Sequence, residues 1–65
     1  MRNDLQRIRW DKNMTVEQLA RLSGISSSEI SRIENNQSSP TLYTMCRLSK
    51  ALKVNAWEVW SCDKD

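Results

Sequence analysis

Residues 15–35 read TVEQLARLSGISSSEISRIEN, and their pattern decides the fold. The pattern is helix, tight turn, helix, with the chain's one glycine, Gly24, at the turn. Thr15 followed by Gln18 is a capping-box start. The hydroxyl satisfies an orphan N–H of the first turn, and the amide reaches back to the cap. Leu19 and Ala20 then face inward. Gly24 ends this helix because it takes the left-handed conformation without a Cβ penalty. Ser26 and Glu29 repeat the box and open a second helix.

Each residue of that second helix advances about 100° around the axis. Ile30 and Ile33 therefore share one side, with Glu29 and Glu34 on its flanks. Ser28, Ser31, Arg32 and Asn35 point the other way, and Ser27 lies at the edge of that face. The isoleucine side docks on the first helix. The other side offers hydroxyls, an amide and a guanidinium to a partner rich in hydrogen-bond donors and acceptors.

Upstream, residues 2–12 predict another helix, capped by Asn3 or Asp4, with Leu5 and Ile8 inward. Asn13 suits a left-handed stop, and Met14 packs as a lead-in to the next helix. Trp10 falls away from the Leu5/Ile8 stripe. Packing across a helix surface is its favoured reading, and contact with another molecule is the alternative. Downstream, residues 36–40 (NQSSP) are a loop by turn chemistry. Thr41 caps a fourth helix whose stripe is Leu42, Met45, Leu48 or Ser49, and Leu52. Arg47, Lys50 and Lys53 load its C-terminal half with positive charge, as the helix dipole favours, and read as a solvated face. Asn55 and Glu58 form a third capping box for a short fifth helix, AWEVW. Val54, Val59 and Trp60 close the core there. Trp57, three residues before Trp60, either shares that face or lies outside.

At 65 residues the chain is one small domain near the lower size limit for a self-sufficient core. Association with a second copy would add stability. The expectation is an all-α domain over residues 1–62, with a frayed tail at 63–65. Formal net charge is only +2. Residues 1–53 carry nine Lys/Arg against five Asp/Glu, whereas residues 54–65 carry Lys64 against three acids. A basic body with an acidic tail fits a polyanionic partner, but fits an ordinary solvated surface equally well. Cys46 and Cys62 are too few and too far apart for a disulfide framework or a zinc site. Cys46 reads as a small, partly buried helix residue and Cys62 as a tail residue. No apolar run is long enough for a signal peptide or a membrane span, which points to the cytoplasm or the nucleoid.

Enzyme chemistry finds little support. The chain has no histidine to act as a base. Its serines have no visible activating partner or oxyanion hole. One glycine cannot make a phosphate-cradling loop. The reading is therefore non-enzymatic, with no cofactor and no metal. A helix–turn–helix that offers its second helix to the major groove of duplex DNA fits better. Ser27, Ser28, Ser31 and Arg32 suit contacts to base edges, and arginine can bond O6 and N7 of guanine in a fork. The helix start at Thr15 can receive a phosphate, and Asn35 with the following loop offers donors to another. No aromatic platform for unpaired bases is evident, which favours duplex over single strands.

The chain resembles the Cro/cI-type helix–turn–helix family, also called the XRE family, along nearly its whole length. The resemblance is carried by Leu5-x-x-Ile8-Arg9, Met14-Thr15-x-x-x-Leu19-Ala20, Ser23-Gly24-Ile25-Ser26, Ile30-Ser31-Arg32-Ile33-Glu34-Asn35, Pro40-Thr41-Leu42 and Ala51-Leu52-x-Val54. It implies a five-helix, lambda-repressor-like DNA-binding domain with the motif at helices 2 and 3. It also implies a transcriptional regulator, usually a repressor, binding a palindromic operator as a homodimer. By position, Ser27, Ser28 and Arg32 match the family's base readers, with Ser31 beside them. Thr15, Asn35 and the segment holding Ser38, Ser39, Thr41 and Tyr43 match its phosphate contacts. Arg9 and Glu34 match a pair that bridges the first and third helices. Val16 departs from the pattern, standing where the family often has a phosphate-touching glutamine. Asn36 and Lys53 replace frequent helix-end glycines, and Lys53 would be mildly strained there.

The expected function is thus sequence-specific binding of double-stranded DNA by a homodimeric repressor. The fourth and fifth helices would supply the dimer surface, with Trp57 as its anchor, since tryptophans are favoured at interface centres. The antitoxin of a toxin–antitoxin pair and a restriction–modification controller are alternatives with the same domain. A protein-interaction module that has lost DNA binding is another, of a different class.

Overall fold

Residues 2–61 are described by the computed structural model, and among them five α-helices lie between two very short strands. In order these are β1 (Arg2–Asn3), α1 (Leu5–Asp11), α2 (Val16–Ser23), α3 (Ser27–Glu34), α4 (Leu42–Leu52), α5 (Ala56–Val59) and β2 (Trp60–Ser61). The strands pair antiparallel, Arg2 with Ser61 and Asn3 with Trp60. The sequence reading made residues 2–4 helical and ended the fifth helix on Trp60. Two-residue strands carry no periodicity from which to be read, and their pairing leaves the all-α class intact. The expected frayed tail at 63–65 and the reading of Cys62 lie outside the described residues.

Local chemistry explains most helix boundaries. At α2 both halves of the capping box are made: the Gln18 N–H donates to Thr15 Oγ1 (3.1 Å) and the Thr15 N–H to Gln18 Oε1 (2.8 Å). Gly24, at φ 78°, ends it and donates to the Ala20 carbonyl. The other long ends share one device. Asn13, Asn36 and Lys53 adopt φ of 55°, 59° and 60°. The N–H of the residue after each bonds a carbonyl five residues back: Met14 to Arg9, Gln37 to Arg32, Val54 to Ser49. This is the Schellman closure, made here without glycine. At α1, Asp4 holds the cap position without a side-chain bond, and Asn3 Oδ1 accepts from the Leu5 N–H. At α5 the Glu58 carboxylate accepts from the Asn55 N–H (3.1 Å).

The core joins all five helices and the final strand. Leu5, Leu19, Ile30, Ile33, Leu48, Leu52 and Val59 are essentially fully buried, and Ile8, Ile25 and Trp60 nearly so. Met14, Val16, Ala20, Met45 and Val54 pack against them. The Asp4 N–H donates to the Val59 carbonyl (2.7 Å), tying the start of α1 to the end of α5. Three expectations fail at the surface. Leu42 is 81% exposed, because the first turn of α4 projects past the core. Cys46 lies on the outer side of the same helix and is exposed. Trp10 is 61% exposed. No helix among the described residues is long and apolar enough to cross a membrane.

Candidate nucleic-acid interface

The Ile30 and Ile33 side chains, both at 0% exposure, pin α3 to the body. Rotation about the helix then leaves Ser28, Ser31, Arg32 and Asn35 exposed on the other side, with Ser27 half-buried at its edge. Small hydroxyls and a guanidinium protrude from a helix whose backbone is already fixed, so the ordering left to a binding event is chiefly that of the Arg32 side chain.

The C-terminal end of that helix is clamped, and the turn that precedes it is braced. At its C-terminal end the Arg9 guanidinium grips Glu34 with two parallel bonds, Nε to Oε2 at 2.8 Å and Nη2 to Oε1 at 3.0 Å. Both side chains are more than nine-tenths buried. Arg9 Nη1 also donates to the Met14 carbonyl (2.9 Å), so one side chain joins α1, the α1–α2 connection and α3. Asn3 adds a second clamp: its amide donates to the Ile33 carbonyl (2.9 Å) and to Asn36 Oδ1 (3.1 Å). Ahead of α3, at the end of α2, Arg47 Nε donates to the Ser23 carbonyl (2.7 Å), next to Gly24. The Arg47 guanidinium rests 5.5 Å from the Tyr43 ring. Arg47 is therefore a brace on the turn and not merely part of a solvated, dipole-matched face. Sequence reading missed the Asn3 and Arg47 roles, since partners more than twenty residues away leave no local signal.

Glu29 behaves differently from its expected box. Ser26 Oγ accepts from the Glu29 N–H (3.2 Å), but the carboxylate turns to the loop and accepts from Ser38 Oγ (2.9 Å). The Ser38 hydroxyl proton is thus spent on α3 rather than offered outward. Ser38 ties the loop to the helix through this bond.

The remaining expected phosphate residues are at the surface. Thr15, Asn35, Ser39, Thr41 and Tyr43 are all exposed. Thr15 and Thr41 mark the starts of α2 and α4. Thr41 Oγ1 accepts from the Thr44 N–H and contacts the Thr44 hydroxyl, both at 3.2 Å. Asn35 donates one amide hydrogen to the Ser31 carbonyl (3.0 Å), leaving the other for a ligand. Among the described residues no group of His, Cys, Asp and Glu is placed to hold a metal ion.

Residues 5–56 match the HTH_3 helix-turn-helix family model. The chain is similar to the HTH-type transcriptional repressor RghR of Bacillus subtilis (strain 168), with 43% identity over 51 residues. That match takes in 77% of this chain but 38% of RghR, so the chain spans well under half of that relative's length. The fold is similar to the restriction-modification controller protein C.AhdI from Aeromonas hydrophila, at TM-score 0.81 and 31% identity, covering 83% of this chain and 82% of C.AhdI. It is equally similar, at TM-score 0.81 and 25% identity, to an HTH_3 family transcriptional regulator from Vibrio cholerae, covering 85% of this chain and 31% of that one. The clamped helix pair with its glycine turn and the match over most of the sequence lead to one conclusion: the chain belongs to the HTH_3, XRE-type, helix-turn-helix family of transcriptional regulators.

Proposed function

We propose that this protein is a sequence-specific, double-stranded-DNA-binding transcriptional repressor that inserts α3 into the major groove. The observation that carries this reading is the exposed face of Ser28, Ser31 and Arg32 on a helix clamped at its C-terminal end and led by a braced turn. Arg32 supplies the fork to guanine, and Ser27, Ser28 and Ser31 supply shorter contacts to neighbouring base edges. Thr15, Asn35, Ser39, Thr41 and Tyr43 hold the flanking phosphates and set the register. The complex forms on a palindromic operator as a homodimer, with Trp57, 73% exposed on α5, at the centre of the subunit contact. The protein acts on nucleoid DNA in the cytoplasm and performs no catalysis.

Control of a restriction–modification system is a second reading, favoured by one observation. The fold is similar to that of the restriction-modification controller C.AhdI at TM-score 0.81 with 31% identity. Selection of bound duplexes from a random pool tests the main reading. Enrichment of one palindromic sequence is the expected result. A pool that stays unenriched would reduce the protein to an interaction module that keeps the fold without the DNA contacts.

A further inference from the structure

On the side formed by the end of α2 and the second half of α4, the exposed side chain of Leu22 stands between three adjoining clefts. It is 62% exposed and adjoins the apolar wall of the clefts, so it is part of a contiguous apolar patch and not an isolated surface leucine. The clefts measure about 420, 300 and 490 Å³, and Leu22 lines all three. Met14, Ala51 and Leu52 add apolar wall. The rim is of one sign: Lys12, Arg21, Arg47, Lys50 and Lys53 line these clefts, and no Asp or Glu does. No residue of α3 lines them, and of the proposed DNA contacts only Tyr43, at the edge of the first cleft, does.

We infer that this is a docking surface for an acidic, amphipathic polypeptide segment, which lays apolar side chains around Leu22 and acidic ones against the five cations. Charge complementarity selects the sign of the partner. Shape and polarity select its class. A duplex backbone is anionic but presents no apolar projection to fill a concave, leucine-centred cleft. An amphipathic helix with leucines at a spacing of three and four residues supplies both features at once. The inference stands on this surface alone and does not depend on what α3 binds.

The test uses the full 65-residue chain and a synthetic helical peptide of about 14 residues, roughly four turns. The peptide carries leucines on one face and glutamates elsewhere. A scrambled isomer of the same composition is the control. Binding is read by anisotropy of the labelled peptide. A Cys62→Ser variant provides a second reading, since Cys46 lines the first cleft and its alkylation reports occupancy. The amphipathic peptide is expected to bind about tenfold more tightly than its isomer and to slow alkylation of Cys46. Leu22→Ala and Lys50→Glu, with unchanged circular dichroism, are each expected to weaken it by about tenfold. Equal binding of the two isomers, or indifference to Leu22→Ala, would overturn the inference in favour of a merely basic surface. Protection of Cys46 by a random duplex DNA as strong as that by the peptide would overturn it in favour of nucleic acid.

Discussion

Arg9 and Glu34 are the two charges that this fold takes out of water, and the consequences are particular to them. A buried pair recovers its desolvation cost only while both partners and their bonds are in place. Glu34→Gln leaves the Arg9 guanidinium facing a neutral amide. It is expected to cost about 3–5 kcal/mol in urea unfolding, while Arg9→Met with Glu34→Leu together costs far less. A single and a double variant of equal stability would mean the pair carries no such penalty. Lys53 offers the opposite sign. Its backbone sits in the left-handed region at φ 60°, a conformation disfavoured for residues with a Cβ. Lys53→Gly is therefore expected to raise stability by about 1 kcal/mol, seen as a higher melting temperature. Both features were legible only through the family resemblance, Lys53 as a replacement for a frequent helix-end glycine and Arg9 with Glu34 as a matching pair. Asn3 and Arg47 were not legible, because each acts on a backbone carbonyl brought near only by folding.

Helix boundaries were the most readable features at the scale of elements. Thr15 with Gln18, Gly24, and the isoleucines of α3 announce themselves through spacings of three and four residues. Thr15→Ala removes the side-chain half of the α2 box and is expected to cost about 1 kcal/mol. The same variant would weaken duplex binding only slightly if the phosphate is held by backbone N–H groups, and markedly if it is held by the hydroxyl. Comparing stability and affinity for this one substitution separates the two roles. What spacing does not encode is which side of a long helix the rest of the chain will reach. The stripe on α4 is correct at Leu48 and Leu52 and fails at Leu42, where no other element extends far enough to cover it. Glu29 fails for a related reason: the loop brings Ser38 within 2.9 Å, and a hydroxyl donor competes successfully with the cap N–H.

For the molecule as a whole, three tests follow from its exposed surfaces. Trp57, at 73% exposure, is expected to anchor a second subunit, so Trp57→Ala should shift sedimentation toward the monomer. Sedimentation unchanged by this substitution would place the subunit contact elsewhere. Arg32→Ala is expected to cost about 1–3 kcal/mol of duplex affinity and to loosen base choice at a single position. Equal weakening on every sequence would make Arg32 a phosphate contact. The fold class and the exposed side of α3 were visible in residues 15–35, whereas the clamps that hold that helix came from distant parts of the chain. Titration of the selected duplex with salt tests the central claim most directly. A protein that neutralises several phosphates through the α2, α3 and α4 contacts loses affinity linearly on a logarithmic scale as salt rises, with a slope of roughly −0.9 per phosphate. A steep negative slope for the selected duplex, with tighter binding than to a random one at every salt concentration, is the predicted result. A flat slope, or identical curves for the two duplexes, would contradict the assignment of α3 as a reader of DNA.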